Sequence, residues 1–177
     1  MFVVGCSEQA SQPESVEVPV DTPAKTSFNG EEIAADGYTI RVPDGWEIVD
    51  EEKTILSIRS PLEDGNDTFG ENIRIVRYPL GRPHTVEEVL KRQKSDTGRF
   101  MLIGEGRVDE ARVPMTWMAL TPQTPQHDKD DRVKIDFMTT QGNELVVLVA
   151  MAERNAWKRY MPIFREIVST FQPPSHQ

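Results

Sequence analysis

The chain has 177 residues, a length typical of one domain or of one domain with a tail. Acidic residues outnumber basic residues 29 to 20, and the net charge of −9 is a poor electrostatic match for nucleic acid or an anionic membrane surface. The single cysteine excludes an intrachain disulfide and any all-cysteine metal site, and no run of about 18 apolar residues predicts a membrane-spanning helix.

The first six residues fit the end of a bacterial lipoprotein signal peptide. In such signals two apolar residues and a small one precede the lipidated cysteine, as Val3, Val4 and Gly5 precede Cys6 here. A full signal also has a positively charged start and an apolar stretch of roughly 7–15 residues, whereas only five uncharged residues precede Cys6. Either translation starts further upstream or the match arises by chance. We expect residues 1–6 to be the remnant of a signal and Cys6 to be lipidated.

The next thirty residues have the composition of a tether. Ser, Gln, Glu, Pro, Thr and Ala dominate residues 7–36, and neither helical nor strand periodicity is sustained. Such a segment buries too little apolar surface to offset its ordering entropy. We therefore expect a flexible polar tether over 7–36, a folded domain over 37–172 and a disordered tail over 173–177.

Alternating apolar and polar residues predict strands at 38–42, 54–60 and 72–78 in the first half of the domain. A helix follows these strands. Thr85 is a good N-cap and Glu88 lies three residues later, which is the pattern of a capping box, and Gly98 is a plausible stop.

The second half predicts four more strands and a second helix. Residues 100–108 and 113–121 form a hairpin, 132–139 alternate, and 145–151 are apolar on both faces. A strand that is apolar on both faces is covered on both faces, so 145–151 should be central. Apolar residues at spacings of three and four predict the C-terminal helix, which should start near residue 160 or 161 because Pro162 suits only a first turn. The fold class is α+β, with helices on the faces of a mainly antiparallel six- to seven-stranded sheet.

The run from Gly37 to Trp46 resembles the opening of PsbP-like and DcrB-like domains. Further matching segments follow in the same order at 60–61, 69–73, 86–90 and 160–171, so the resemblance covers about 37–171. The resemblance implies an α/β/α sandwich around an antiparallel sheet. Bacterial relatives are often exported lipoproteins, and the plant relatives are non-catalytic extrinsic subunits of photosystem II. No catalytic residue and no cofactor comes with the family.

Two polar loops carry the candidate binding residues. The first has Glu63, Asp64, Asn66 and Asp67, and the second has Asp128, Asp130 and Asp131. Closely spaced carboxylates could hold a divalent cation or attract a basic partner, although Phe69 stands where a calcium loop of the EF-hand type needs glycine. Solvated polar loops are the alternative interpretation.

Motifs for catalysis are not found in the sequence. The three histidines lack metal-ligand spacing, and no nucleophile elbow, P-loop or dinucleotide fingerprint occurs. Trp46, Trp117 and Trp157 could line a pocket, but burial is the commoner role of large aromatic residues.

The sequence therefore predicts a non-catalytic, lipid-anchored protein of the cell envelope, facing the periplasm, that acts as a binding or structural accessory domain. We expect another envelope protein as its partner, membrane contact through the lipid anchor only, and no nucleic acid. A small-ligand or divalent-cation binding protein is the alternative, which an apolar cavity of roughly 300 Å³ or more would favour. A hydrolase would need two carboxylates about 5–10 Å apart in a deep pocket.

Overall fold

The computed structural model describes residues 30–124 and 131–174. Nine strands and two helices occur in these ranges. Their bounds are β1 Glu31–Ala35, β2 Tyr38–Val42, β3 Glu47–Ile48, β4 Leu56–Arg59, β5 Asn72–Pro79, α1 Val86–Ser95, β6 Phe100–Val108, β7 Met115–Pro122, β8 Arg132–Gln141, β9 Glu144–Glu153 and α2 Trp157–Ser169. None of the described helices is long and apolar enough to cross a membrane.

Seven strands form one antiparallel sheet in the order β3-β4-β5-β9-β8-β7-β6. β9 lies in the middle, as its continuous apolar sequence predicts. Its side chains alternate between two separate cores, with Val146, Leu148 and Ala150 in one and Leu145, Val147 and Val149 in the other. The sheet is therefore covered on both faces at β9, and the predicted fold class is confirmed.

Helix α1 covers part of one sheet face. Thr85 accepts a hydrogen bond from the backbone of Glu88, and the Glu88 side chain accepts one from the backbone of Thr85, so the predicted capping box is confirmed. Val86, Val89 and Leu90 pack against the core that contains Val147. The helix ends at Ser95 with Asp96 as its C-cap, before the glycine predicted as the stop.

Helix α2 covers the opposite face and begins earlier than predicted. Trp157 is its first residue, and Pro162 lies inside it. Proline removes one helical hydrogen bond and usually breaks a helix interior. Pro162 is exposed, so water can solvate the carbonyl oxygen that loses its partner. Tyr160, Phe164, Ile167 and Val168 meanwhile bury one stripe of the helix, and this packing offsets the lost bond.

A hairpin of β1 and β2 packs beside α2, apart from the main sheet. Thr39 exchanges two backbone hydrogen bonds of 2.9 Å with Gln172, and the Tyr38 ring stacks on Phe171. The structure here differs from the expected boundaries, because 31–35 of the predicted tether form a strand. The sequence of β1 does not predict a strand, but pairing with β2 supplies the backbone hydrogen bonds that stabilise one. At the other end, Pro174 of the predicted tail accepts a hydrogen bond from Gln141.

Removal of β1 should destabilise the protein. Five residue pairs join β1 to β2, and Ile33 packs against the core. We expect a chain beginning at Gly30 to melt within about 2 °C of the full chain, and a chain beginning at Asp36 to melt at least about 4 °C lower, a shift that corresponds to 1–2 kcal/mol. Thermal unfolding of the three chains followed by circular dichroism would test this. Equal melting of all three would mean that β1 adds no stability.

Candidate functional site

The first predicted loop uses most of its carboxylate oxygens to build itself. Asp64 accepts hydrogen bonds from the backbone N–H groups of Asn66 and Asp67, at 2.7 and 3.1 Å. Asp67 accepts from the backbone N–H groups of Glu63 and Phe69, at 2.7 and 2.9 Å, and these bonds hold the pKa of Asp67 below its ordinary value. Both aspartates therefore shape the loop, and their charge remains at its surface.

Glu63 ties this loop to the first turns of α2. One of its carboxylate oxygens lies 2.5 Å from the Arg159 guanidinium and accepts a 2.8 Å hydrogen bond from the Tyr160 hydroxyl. Burial is the main cause that raises the pKa of Tyr160, and the bond to Glu63 raises it further. Tyr160 thus stays protonated and donates to Glu63 at any physiological pH.

Beneath this loop lies a carboxylate that is not fully paired. Glu71 is only 3% exposed, and its Oε2 has no hydrogen-bond partner among the described residues. The Oγ of Ser60 is likewise buried and unpartnered there, and Ser60 and Glu71 are joined by a backbone hydrogen bond of 2.8 Å. Buried polar atoms are normally paired, so the unpartnered Glu71 oxygen indicates a place for additional positive charge or a donor.

Glu71 and the residues of the first loop line an open depression of about 570 Å³, which we call the acidic depression. Its acidic lining residues are Glu63, Asp64, Asp67, Glu71 and Glu153, and among the described residues Arg159 is the only basic one that lines it. Burial raises the pKa of Glu71 above its ordinary value, and the charges of Glu63 and Asp67 raise it further. Hydrogen bonds from the backbone of Glu71 and Glu153 lower this pKa, but they do not cancel the increase. The depression therefore has negative charge that its own residues leave uncompensated.

Asp131, the described member of the second predicted loop, lies next to the first loop. Asp131 forms an ion pair with Arg154, and its backbone oxygen accepts a hydrogen bond from Arg154. A smaller depression lined by Asp131 shares Glu153 and Asn155 with the acidic depression, so Asp131 lies at the same end of the sheet as the first loop. Asp128, Asp130 and Cys6 lie outside the described residues. In the described ranges, no three His, Cys, Asp or Glu side chains are arranged to hold a metal ion.

Glu71 and Glu153 are the site residues that sequence reasoning missed. Glu71 directly precedes β5, and Glu153 ends β9. Both positions resemble ordinary solvated strand ends in the sequence. Only the pairing of β5 with β9, in which Asn72 lies opposite Met151, brings these two carboxylates together.

The three tryptophans pack against the large core that α2 covers. The Trp46 ring meets Phe164 edge-on at 6.3 Å. The Trp117 ring lies over Gly106, where a Cβ atom would stand only 2.9 Å from the indole nitrogen. Glycine on β6 thus makes room for Trp117, and the interpretation of these residues as packing residues is confirmed.

Neutralising Glu71 should stabilise the protein in a pH-dependent way. A carboxyl whose pKa is raised by folding disfavours the folded state once it ionises, so its cost is present above the raised pKa and disappears as the pH falls. We expect Glu71→Gln to raise the melting temperature by about 2–4 °C at pH 7, the shift that 1 kcal/mol produces in a domain of this size. Near pH 4 the variant and the original protein should melt together. A melting temperature lowered at pH 7 would show instead that the Glu71 charge is compensated.

On the opposite face of the sheet, a second depression of about 540 Å³ has the other sign of charge. α1 covers the half of this face that contains Val76, Met138 and Val147, and it leaves the other half open. This differs from the expectation that helices occupy both sheet faces. The open half, which we call the basic groove, is lined by Arg74, Arg99, Phe100, Leu120, Pro122, Gln123, Thr124, Arg132, Lys134 and Met151.

Solved structures of other proteins share this fold. The chain superposes on cyanobacterial PsbP (CyanoP) from Synechocystis sp. PCC 6803 with a TM-score of 0.55 and 16% identity, over 88% of this chain and 99% of that one. It superposes on the Saccharomyces cerevisiae Ran-binding protein Mog1p with a TM-score of 0.58 and 12% identity, over 82% and 96% of the two chains. A Bacteroides thetaiotaomicron VPI-5482 protein gives a TM-score of 0.53 at 12% identity, with 83% of this chain and 49% of that chain covered.

The chain therefore has the PsbP-like fold, as the resemblance of its sequence implied. No family model matches the sequence, and no curated protein sequence matches it. Identities of 12–16% establish the fold alone, so the function has to be argued from the sites.

Proposed function

We propose that the protein is a non-catalytic binding or structural accessory domain, anchored by lipid to the cell envelope and facing the periplasm, that receives a basic group of a partner protein in the acidic depression. Glu71 carries this proposal. Its Oε2 is buried and unpartnered among the described residues, in a depression where negative charge is in excess. A guanidinium or ammonium group of a partner, bound in the depression beside Glu71, would compensate this negative charge.

The roles of the remaining carboxylates support binding over catalysis. Asp64 and Asp67 hold the backbone of their loop, Glu63 is bonded to Arg159 and Tyr160, and Asp131 is paired with Arg154. A general acid or base needs an available oxygen near the substrate. Among the described lining residues, Glu71 alone has a buried oxygen without a partner, and a single buried carboxylate does not make an acid–base pair.

The fold also suits a protein that acts through its surface. Mog1p, whose structure superposes on this chain, is a Ran-binding protein, so this architecture serves macromolecular recognition in at least one other protein. This analogy supports a binding role and does not identify the partner.

The lipid anchor rests on the sequence around Cys6. We expect mass spectrometry of the membrane fraction of the native host to find diacylglycerol on Cys6, and Cys6→Ser to abolish the modification. In that variant the protein should move from the membrane to the aqueous fraction. An unmodified, fully aqueous original protein would refute the anchor and leave the acidic depression untouched.

An NMR titration tests the recognition of basic groups and separates it from cation binding. We expect a short peptide rich in arginine to shift amide signals of 60–71 and 153–160 saturably, more weakly as salt rises. Glu71→Gln with Asp67→Asn should remove these shifts, whereas Glu31→Gln with Asp44→Asn, which neutralises two exposed acids elsewhere, should keep them.

Calcium is the competing ligand in the same experiment. Saturable shifts confined to the two acidic loops below about 1 mM Ca²⁺, the weak end of natural calcium modules, would favour the divalent-cation alternative. If neither peptide nor calcium gives shifts at the depression, the proposed function is wrong.

A further inference from the structure

We propose that the basic groove is a second binding site, which takes an extended acidic segment of a partner protein. The groove lies on the sheet face opposite α2, and the function proposed for the acidic depression does not use it. Four cations among the described residues line it, although the protein as a whole has a net charge of −9. A cluster of positive charge on a protein whose net charge is negative is the first observation that points to an anionic ligand.

The cations of the groove are held in place by their neighbours. The Arg132 guanidinium carbon lies 3.9 Å from the centroid of the Phe69 ring, and that of Arg99 lies 5.5 Å from the Phe100 ring. Lys134 is 2.8 Å from Asp136, and Arg74 is bonded to Glu51. Cations that are already positioned lose less side-chain entropy when a ligand binds.

Positive charge remains in excess after these internal pairs are formed. Glu51 and Asp136 compensate two of the four cations. Arg99 and Arg132 are the other two, and no carboxylate within the described ranges forms an ion pair with either. Both are held against aromatic rings, a contact that leaves the guanidinium N–H groups able to donate to carboxylates.

The spacing of the cations predicts the shape of the ligand. Arg74 belongs to β5 and Arg99 precedes β6, and three strands lie between β5 and β6 in the sheet. Neighbouring strands are about 4.8 Å apart, so the cations extend over about 19 Å across the sheet. One small anion cannot reach them together, whereas about six residues of an extended peptide can.

The groove also has an apolar floor. Leu120, Met151 and Phe100 lie among the cations. A ligand that uses the whole surface therefore needs apolar side chains between its acids. An extended peptide in which acidic and apolar residues alternate has both, and polyphosphate or a sulfated polysaccharide has only the charge.

Fluorescence anisotropy with the full-length protein tests this inference. The probe is a labelled twelve-residue peptide of alternating Glu and Val, at low salt. We expect saturable binding that Arg99→Glu with Arg132→Glu weakens at least about tenfold, equal to ~1.4 kcal/mol. Arg41→Glu with Arg112→Glu changes the net charge equally at two exposed arginines elsewhere and should weaken binding less than about threefold. Arg99→Glu alone changes an exposed residue and should fold normally, so it tests the site even if the double variant folds poorly. We expect it to weaken binding by itself.

Two comparisons decide the class of ligand. A peptide with Ser in place of Val should bind more weakly, and heparin should not displace the Glu–Val peptide at equal charge. The opposite results would assign the groove to a polyanion and overturn the inference.

The full chain with Glu14→Gln, Glu17→Gln and Asp21→Asn should bind the peptide as the original does. Tighter binding by that variant would assign the groove to the chain's own N-terminal segment. Equal losses in both arginine pairs would reduce the effect to net charge and also refute the site.

The two proposals fail separately. Arg99→Glu alone should leave the binding of arginine-rich peptides unchanged, because Arg99 precedes the edge strand β6 and lies far from the acidic depression. Glu71→Gln should likewise leave the binding of the acidic peptide unchanged.

Discussion

Replacing Phe164 with alanine should lower the free energy of unfolding by about 3–5 kcal/mol, the usual cost of removing a phenylalanine from a core. Phe164 is 0% exposed and lies in the middle of α2, on the stripe that packs over the central strand. Its ring contacts Trp46 edge-on and lies 6.0 Å from the ring of Tyr160. Because these neighbours are fixed by the sheet and by α2, they cannot close the cavity that the truncation leaves.

Urea denaturation would measure this loss. Leu62→Ala is the matched control, because Leu62 is a large apolar residue that is 55% exposed and its truncation should cost less than about 0.5 kcal/mol. If Phe164→Ala and Leu62→Ala unfold at similar urea concentrations, α2 does not make the packing contacts described above.

Replacing Lys134 with methionine should cost about 1–3 kcal/mol at pH 7. Lys134 is 2.8 Å from Asp136, whose side chain is 4% exposed, and the second oxygen of Asp136 has no partner in the described ranges. Loss of one member of a buried ion pair typically costs about 3–5 kcal/mol because the other charge is left uncompensated. We expect less here, since the Lys134 side chain is 41% exposed and Arg74 also attracts Asp136.

This cost should depend on pH with a definite sign. Burial raises the pKa of Asp136 above its ordinary value, and the loss of the Lys134 charge would raise it further. As the pH falls through the raised pKa, Asp136 becomes neutral in the folded state and no longer needs a partner. The stability difference between Lys134→Met and the original protein should thus be largest near pH 7 and should vanish near pH 4.

Thermal unfolding between pH 4 and pH 8 would follow this difference. Adding Asp136→Asn to Lys134→Met removes the uncompensated charge and should restore most of the lost stability at pH 7. A pH-independent loss, or a double variant as unstable as the single one, would show that Lys134 contributes through packing alone.

The two charged sites lie at the same end of the sheet. Arg132 of the basic groove lies directly opposite Glu153 of the acidic depression in the pairing of β8 with β9. Directly opposite residues of an antiparallel pair place their side chains on the same face, so Arg132 and Glu153 are neighbours at the border between the two sites. A protein with this arrangement can present an acidic surface and a basic surface to different ligands.

The sequence by itself determined the elements whose signals are local. Alternation placed most strands of the main sheet, the spacing of Thr85 and Glu88 placed α1, and the apolar run in 145–151 identified the central strand. These signals are local because side-chain periodicity and capping involve residues only a few positions apart. They were sufficient for the fold class and for the PsbP-like resemblance.

Only the tertiary structure decided what depends on distant partners. β1 forms because β2 is available to pair with it, and α2 runs through Pro162 because its apolar stripe is buried over the sheet. The acidic depression joins residues before β5 to residues after β9, and the basic groove gathers side chains from five strands and their ends. No spacing along the chain encodes these neighbours, because strand order and the half of a sheet face that a helix leaves open are properties of the folded chain.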